Sequence, residues 1–368
     1  MKTGPRTALF LVSLIAGAGL LSSHADAQPF KDARKLPVEK AATATTQVGL
    51  RTNIANLSTD VTNGGTANVA TNGSLAGIPI LNGFHFRFNN GDHEFQRLSL
   101  RPTSDQSANV AYRDHNADDR YKAQATWITL NGGGVKGEVA SRSPYELYGQ
   151  GNSGPKQGTY FVPLPTSRPP NHRLVLSGFE FRFPDGKDFG IRMIGLWLDE
   201  ATNSARVTFT DTKISPLLGD GGPTMTEAAK GPILPSTDLD ACSKAIAAAV
   251  GGSLFSKDGY TSHDAQSCVR IQYAWIPEAA VAGQQSFSGT QRMPDSGAQF
   301  PARAGIQGFE FRYDSGAEHH LLAIGVMPPL AGAAHRTASG VPANELIAFQ
   351  DKNRDDAIRW SVKMLNLR

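Results

Sequence analysis

The chain has 368 residues, 36 basic against 33 acidic, and 40% of them hydrophobic, which is enough apolar content for two to three domains with real cores. A formal charge of +3, with no Lys/Arg cluster interleaved with aromatics, excludes a field that would gather nucleic acid or an acidic membrane.

Lys2 and Arg6 precede an uncharged, mostly apolar stretch from Ala8 to Leu21. Ala25-Asp26-Ala27 then places small residues at the two positions a signal peptidase reads. The pattern predicts a signal peptide over residues 1–27, cleavage after Ala27, and a secreted or periplasmic protein. The alternative is an uncleaved anchor, but the run is shorter than the roughly 20 residues a membrane-spanning helix needs, and no later stretch approaches that length. No Cys follows the expected cleavage site to accept a lipid. Loss of Lys2, Arg6 and Asp26 leaves a formal +2. Residues 28–77 are rich in Ala, Thr, Asn and Gly, and such a composition predicts a flexible segment.

Self-similarity is the main signal. Gly83-Phe84-His85-Phe86-Arg87-Phe88, Gly178-Phe179-Glu180-Phe181-Arg182-Phe183 and Gly308-Phe309-Glu310-Phe311-Arg312-Tyr313 each alternate aromatic with polar residues. Strict alternation is the mark of a half-buried strand, rings on one face and charges on the other. Asn89-Asn90-Gly91, Pro184-Asp185-Gly186 and Asp314-Ser315-Gly316 follow, the chemistry of a three-residue hairpin with Gly in the left-handed position. A returning strand is expected at Leu98/Leu100, Ile194/Leu196 and Ile324/Val326. A third is expected at Val110/Tyr112, Val207/Phe209 and Ile347/Phe349. A fourth is expected at Tyr121 to Trp127, Val269 to Trp275 and Ile358 to Met364.

These elements predict an all-β chain of three diverged copies: unit 1 over 78–142, unit 2 over 143–283 and unit 3 over 284–368. A lone four-stranded sheet would expose its aromatic face, so each must pack on another sheet. The copies start 95 and then 130 residues apart, an uneven spacing that favours tandem antiparallel β-sandwiches over a closed trefoil or propeller.

Between units 1 and 2, Gly132 to Arg173 is dense in Gly, Pro and Ser and reads as loop-rich, with Gly158 to Leu164 as a candidate extra strand. Unit 2 carries an insertion over 212–267. Ser236 or Thr237 can cap one short helix there, and Gly251-Gly252 stops it. Cys242 and Cys268 lie in or beside the insertion, and in an oxidising compartment they are expected to form a disulfide.

The most specific candidate chemistry is a loop read twice as D-x-N-x-D-D: Asp114, Asn116, Asp118 and Asp119, then Asp351, Asn353, Asp355 and Asp356. Alternating oxygens on a tight loop can converge on Ca²⁺. An EF-hand is excluded, because its glycine position holds Asp and its twelfth position holds Ala125 or Val362. The competing reading is that Asp and Asn cap the turn through their own backbone. Arg87, Arg182 and Arg312, with His85, Glu180 and Glu310, stand on the polar faces as candidate ligand readers, or else as surface ion pairs. His93, His319, His320 and Glu318 form a weaker candidate for a transition metal.

Enzymatic motifs largely fail. Gly149-Gln150-Gly151-Asn152-Ser153-Gly154 matches a dinucleotide fingerprint, but Pro155 follows and no βαβ unit surrounds it. A catalytic triad elbow, a zinc-protease helix and a P-loop are all missing. Export plus repetition points to a non-catalytic protein that binds carbohydrate or a surface polymer, several weak sites on one chain gaining avidity through effective concentration. Envelope or matrix assembly, and a secreted glycoside hydrolase, are the alternatives. The sequence is silent on oligomeric state.

Overall fold

The computed structural model describes residues 52–61, 66–89, 95–114, 120–142, 159–182, 191–211, 268–290, 300–313, 321–328, 347–351 and 358–368. Alternating apolar and polar residues, rich in Phe, Ile, Val and Thr, make almost all of them strands. In chain order these are β1 (Thr52–Val61), β2 (Thr66–Ala70), β3 (Ile78–Phe88), β4 (Phe95–Ser104), β5 (Ser107–Asp114), β6 (Tyr121–Leu130), β7 (Val135–Arg142), β8 (Thr159–Pro163) and β9 (His172–Arg182). They continue as β10 (Ile191–Asp199), β11 (Ser204–Asp211), β12 (Cys268–Pro277), β13 (Val281–Gly289), β14 (Ala304–Tyr313), β15 (Leu321–Val326), β16 (Ile347–Asp351) and β17 (Ile358–Leu367). The expected helix in the insertion, and the turn residues after the Phe-rich strands apart from Asn89, lie outside the described residues.

Pairing is antiparallel throughout and builds three sheets. Sheet I runs β1-β6-β3-β15-β16, sheet II β7-β12-β9-β4-β5-β2, and sheet III β13-β17-β14-β10-β11-β8. The same scheme recurs in each. Phe84 on β3 lies between Ala125 and Val326, Phe179 on β9 between Ile271 and Leu100, and Phe309 on β14 between Val362 and Leu196.

This register corrects two expectations. The Phe-rich strand of each segment pairs with its own fourth strand but not with the strand that follows it. That second strand crosses, with the third, into a neighbouring sheet: β4 and β5 join β9, β10 and β11 join β14, and β15 and β16 join β3. The expected hairpin pairings of β3 with β4, β9 with β10 and β14 with β15 are therefore not formed. Nor do the segments form separate sandwiches, since every sheet draws strands from two of them and residues 49–368 cluster as one compact unit. Alternation dictates which face a strand buries; it says nothing about which strand lies beside it.

Among the described residues, the inward aromatic and aliphatic positions expected from the alternation meet in one core; Phe183 lies outside them. Phe84, Phe179 and Phe309 are fully buried and touch one another, with ring centroids 5.0, 5.0 and 5.3 Å apart. Each such ring contributes about 1.5–3 kcal/mol by burial, and tilted or edge-on pairs add about 0.5–1.5 kcal/mol.

Beyond this triad a bulge interrupts each Phe-rich strand, at Leu81/Gly83 on β3, opposite Gln272/Tyr273 on β9, and at Ile306/Gly308 on β14. An extra residue in one strand switches which face its side chains occupy. The far ends of the sheets consequently meet in a second cluster that includes Ile80, Ile128, Val175, Ala274 and Leu365. The bulges also put polar groups inside. Asn82 Nδ2 donates to Ala304 O at 2.7 Å and ties sheet I to sheet III. Gln307 Nε2 donates to Leu174 O at 2.8 Å and ties sheet III to sheet II. Trp127 Nε1 donates to Ser177 O at 2.9 Å and closes the circuit between sheets I and II.

Two stretches expected to lack structure contain strands. β1 and β2 lie in the segment read as flexible, and β7 and β8 lie in the loop-rich connection, β8 matching the extra strand anticipated there. All four sit at sheet edges; β1 and β2 are only partly buried, so average composition hid them, whereas β8 is almost wholly buried and was legible.

Candidate functional site

The outward faces of the three sheets are built on one register but carry different chemistry. Beside the inward pairs just described, the outward positions of β4 are Arg97, Ser99 and Arg101. Their register equivalents are Met193, Gly195 and Trp197 on β10, and Ala323 and Gly325, then Met327, on and after β15.

On sheet II this substitution pattern gathers charge. Glu180 of β9 is 1% exposed and lies between Ser99 of β4 and Arg270 of β12. Arg97 Nη2 stands 2.7 Å from its Oε1, Arg101 Nε 3.0 Å from its Oε2, and Arg182 Nη2 3.8 Å from its Oε1. Arg270 Nε lies 3.3 Å from Glu138 Oε1, and Gln272 Nε2 donates to Glu138 Oε2 at 3.1 Å. Burial pushes the Arg101 guanidinium below its ordinary range, Glu180 pulls it back, and Arg270 opposes that pull. An isolated buried carboxylate would be very costly, and the surrounding guanidinium groups offset that cost. The polar ladder runs on from Ser99, whose Oγ donates to Asn109 Oδ1 at 3.0 Å, to Asn68, which accepts from Asn109 Nδ2 at 3.2 Å.

Sheet III has an aromatic platform instead. Gly308, Trp197, Arg206 and Phe161 are consecutive neighbours across β14, β10, β11 and β8. Gly308 has no side chain, and a Cβ there would lie 2.7 Å from Trp197 Cδ2, so the indole rests directly against the strand. The Arg206 guanidinium carbon is 5.6 Å from the centre of the half-buried Trp197 ring, and Arg206 Nη2 donates to Glu310 Oε2 at 2.9 Å. A flat ring, a cation and a carboxylate thus share one surface.

The expected site residues are not brought together. His85 and Arg87 stand on sheet I, Glu180 and Arg182 on sheet II, and Glu310 and Arg312 on sheet III. His85 is buried between Gly325 and Gln124. Each of the three arginines faces another basic residue in register: Arg87 faces Lys122, Arg182 faces Arg97, and Arg312 faces Arg359. Of the expected acid–base partners, Glu180 does approach Arg182, whereas Glu310 pairs with Arg206.

Asp114 ends β5 and Asp351 ends β16. Asn116, Asp118, Asp119, Asn353, Asp355 and Asp356 lie outside the described residues, as do His93, His319, His320, Glu318 and Cys242. Cys268 opens β12 and is buried. Among the described residues no group of three His, Cys, Asp or Glu is placed to hold a metal, and no helix is long and apolar enough to cross a membrane.

Arg97, Arg101, Arg270, Trp197 and Arg206 were not singled out by the sequence. The signal for the first two was present as Arg97-x-Ser99-x-Arg101, a strand whose whole outward face is polar, beside a Phe-rich strand bearing Glu180. What defines this molecule is an all-β architecture of three antiparallel sheets on a shared core, with unlike outward faces. No family model matches the chain, and no curated protein matches it.

Proposed function

We propose that the chain is an exported, non-catalytic binding protein that takes carbohydrate or a surface polymer on an outward sheet face. The observation that supports this reading is the sheet III platform of Trp197, Arg206 and Glu310. Aromatic rings of the Phe-rich strands are buried in the core and offer a ligand nothing. Trp197 is instead a partly open ring at the polar surface, fixed against Gly308 and flanked by a hydrogen-bonding acid and base. Such a ring can lie flat on the apolar face of a sugar while Glu310 and Arg206 meet its hydroxyls.

A glycan array probed with the mature protein tests the proposal. Retention of at least one neutral or acidic glycan, abolished by Trp197→Ala and kept by Phe287→Leu on another strand, is the expected result. Absence of any retained glycan, or equal retention by Trp197→Ala, overturns it.

Calcium dependence is a further part of the proposal, carried by the two D-x-N-x-D-D loops. Arg87 with Lys122, and Arg312 with Arg359, stand in register next to the strand ends from which those loops leave. A metal that binds only the folded state raises its stability by RT ln(1 + [L]/Kd), so melting the protein in Ca²⁺ and in EDTA reads it directly. Equal melting temperatures would mean that the loop carboxylates are neutralised without metal. The disulfide between Cys242 and Cys268 and the export of the chain belong to the same reading.

A further inference from the structure

We infer that β13, the open edge of sheet III, pairs antiparallel with β13 of a second copy of this chain and joins two such sheets edge to edge. That edge lies three strands from Trp197 of β10, so the pairing stands whether or not the platform binds sugar.

The three sheets present six edge strands, and five of them carry a feature that discourages pairing. β2, β8 and β16 are only five residues long, and β8 ends in Pro163, which has no N–H to give. β7 carries Lys136, Glu138 and Arg142 within eight residues. β1 is bridged at its middle, where Asn56 N donates to Asn72 O at 2.8 Å and Asn72 N to Asn56 O at 2.7 Å, and it carries Asp60. β13 has none of these guards: it runs for nine residues, Val-Ala-Gly-Gln-Gln-Ser-Phe-Ser-Gly, without a charge or a proline. Its bulge is confined to Val281/Gly283, so residues 283–289 keep an unbroken register with β17. Each of those seven is exposed or half-buried, and among the described residues no strand pairs with their outer side.

A row of unpaired N–H and C=O groups accepts another strand, and the side chains decide which one. An uncharged edge gives a charged partner no advantage and meets no like charge in its own copy. A two-fold pairing must also match in both directions. Centred on Ser286 it uses all seven regular residues: Ser286 faces Ser286, Gln285 faces Phe287, Gln284 faces Ser288 and Gly283 faces Gly289. On the outward side hydroxyl meets hydroxyl and amide meets hydroxyl, groups that both donate and accept. The charge nearest the axis is Lys363 of β17, opposite Ser286. Two copies of it would stand three strand spacings apart, about 14 Å, beyond the Debye length of about 10 Å in 0.1 M salt. Seven opposed residues form about six to eight main-chain hydrogen bonds. The area covered is below that of a standard interface, so the dimer is expected to be weak and concentration-dependent.

Sedimentation velocity of the full mature chain, at concentrations up to about 500 µM, tests the pairing. The mean mass should rise from one chain toward two and stop there, because a two-fold contact closes on itself. Ser286→Lys sets like charges face to face at the axis and should weaken association roughly fivefold or more, with the melting temperature unchanged. Lys136→Ser on β7 should leave association as it was. Ser286→Cys should oxidise to a disulfide between two copies, seen by mass spectrometry as one peptide linked to itself, since directly opposed residues lie within disulfide reach; Lys136→Cys should not. A single-chain mass at every concentration would leave the edge to a strand of another protein and overturn the proposal. Growth past two chains, wild-type association by a folded Ser286→Lys, or cross-linking at position 136 as readily as at 286 would each overturn it too.

Discussion

Phe84 and Phe309, from the first and last Phe-rich strands, pack their rings at a tilt, with centroids 5.0 Å apart and an interplanar angle of 59°. Phe179 completes the contact, and these three residues begin the three Phe-rich strands. The triad joins all three sheets, so truncating one ring should loosen the whole core. Phe84→Ala is expected to cost about 3–5 kcal/mol, measured by urea denaturation, with a single transition retained because no sheet is made from one segment alone. A loss below about 1 kcal/mol, the scale of a surface substitution, would show that the ring is not central.

Alternation in the sequence was sufficient to place the described inward residues of the main core, because a strand has only two faces and the aromatics occupy one of them; the second cluster beyond the bulges was not legible that way. It could not supply partners. Phe84 flanked by Ala125 and Val326 is chemically no different from Phe84 flanked by Leu98 or Leu100, so a local hairpin and a crossing strand read alike. Turn-forming residues after each Phe-rich strand made the hairpin attractive. The sheet II cluster was hidden for a related reason: Glu180 and Arg182 were legible as outward, but Arg97, Arg101 and Arg270 join them only through pairings between distant segments.

Gly305 fills the place on β14 that Ile80 and Val175 occupy on β3 and β9. A Cβ at that position would lie 2.5 Å from Ile80 Cγ2 and 3.2 Å from Val175 Cγ1. A branched methyl fixed in a core cannot retreat easily, so Gly305→Ala should destabilise by about 1–3 kcal/mol through overpacking. Chemical denaturation checks it, and the combination Gly305→Ala with Ile80→Val should recover part of the loss.

Tyr112 and Tyr121 are buried, and their hydroxyls donate to Leu321 O at 3.1 Å and Val110 O at 3.3 Å. Burial pushes both phenols above their ordinary range. A raised folded-state pKa means that the native protein keeps protons the unfolded chain releases. The stabilisation is therefore complete below the unfolded phenol value of about 10 and is lost as pH rises above it. Denaturation midpoints should fall from pH 9 to pH 11, and Tyr112→Phe with Tyr121→Phe should flatten that decline. An unchanged slope in the double variant would assign the alkaline loss to other groups.

Cys268 is buried at the start of β12, opposite Arg182 of β9. If it pairs with Cys242, thiol titration in denaturant should find no free thiol in the exported protein. Reduction should lower stability by about 3 kcal/mol, the chain-entropy value for a loop of roughly 26 residues. Two titratable thiols would contradict the pairing.

The interleaving of segments is the claim on which the fold, the triad and both outward faces depend, and engineered cross-links test it most directly. Arg87 of β3 faces Ala323 of β15, whereas a local hairpin would set it opposite Arg97, the register equivalent of Ala323 on β4. Antiparallel partners lie about 4.5–5.5 Å apart at Cα, within the range a disulfide spans. Arg87→Cys with Ala323→Cys should oxidise to a cross-link, seen as one peptide pair by mass spectrometry, and Arg87→Cys with Arg97→Cys should not. A cross-link in the second variant and none in the first would contradict the shared sheets.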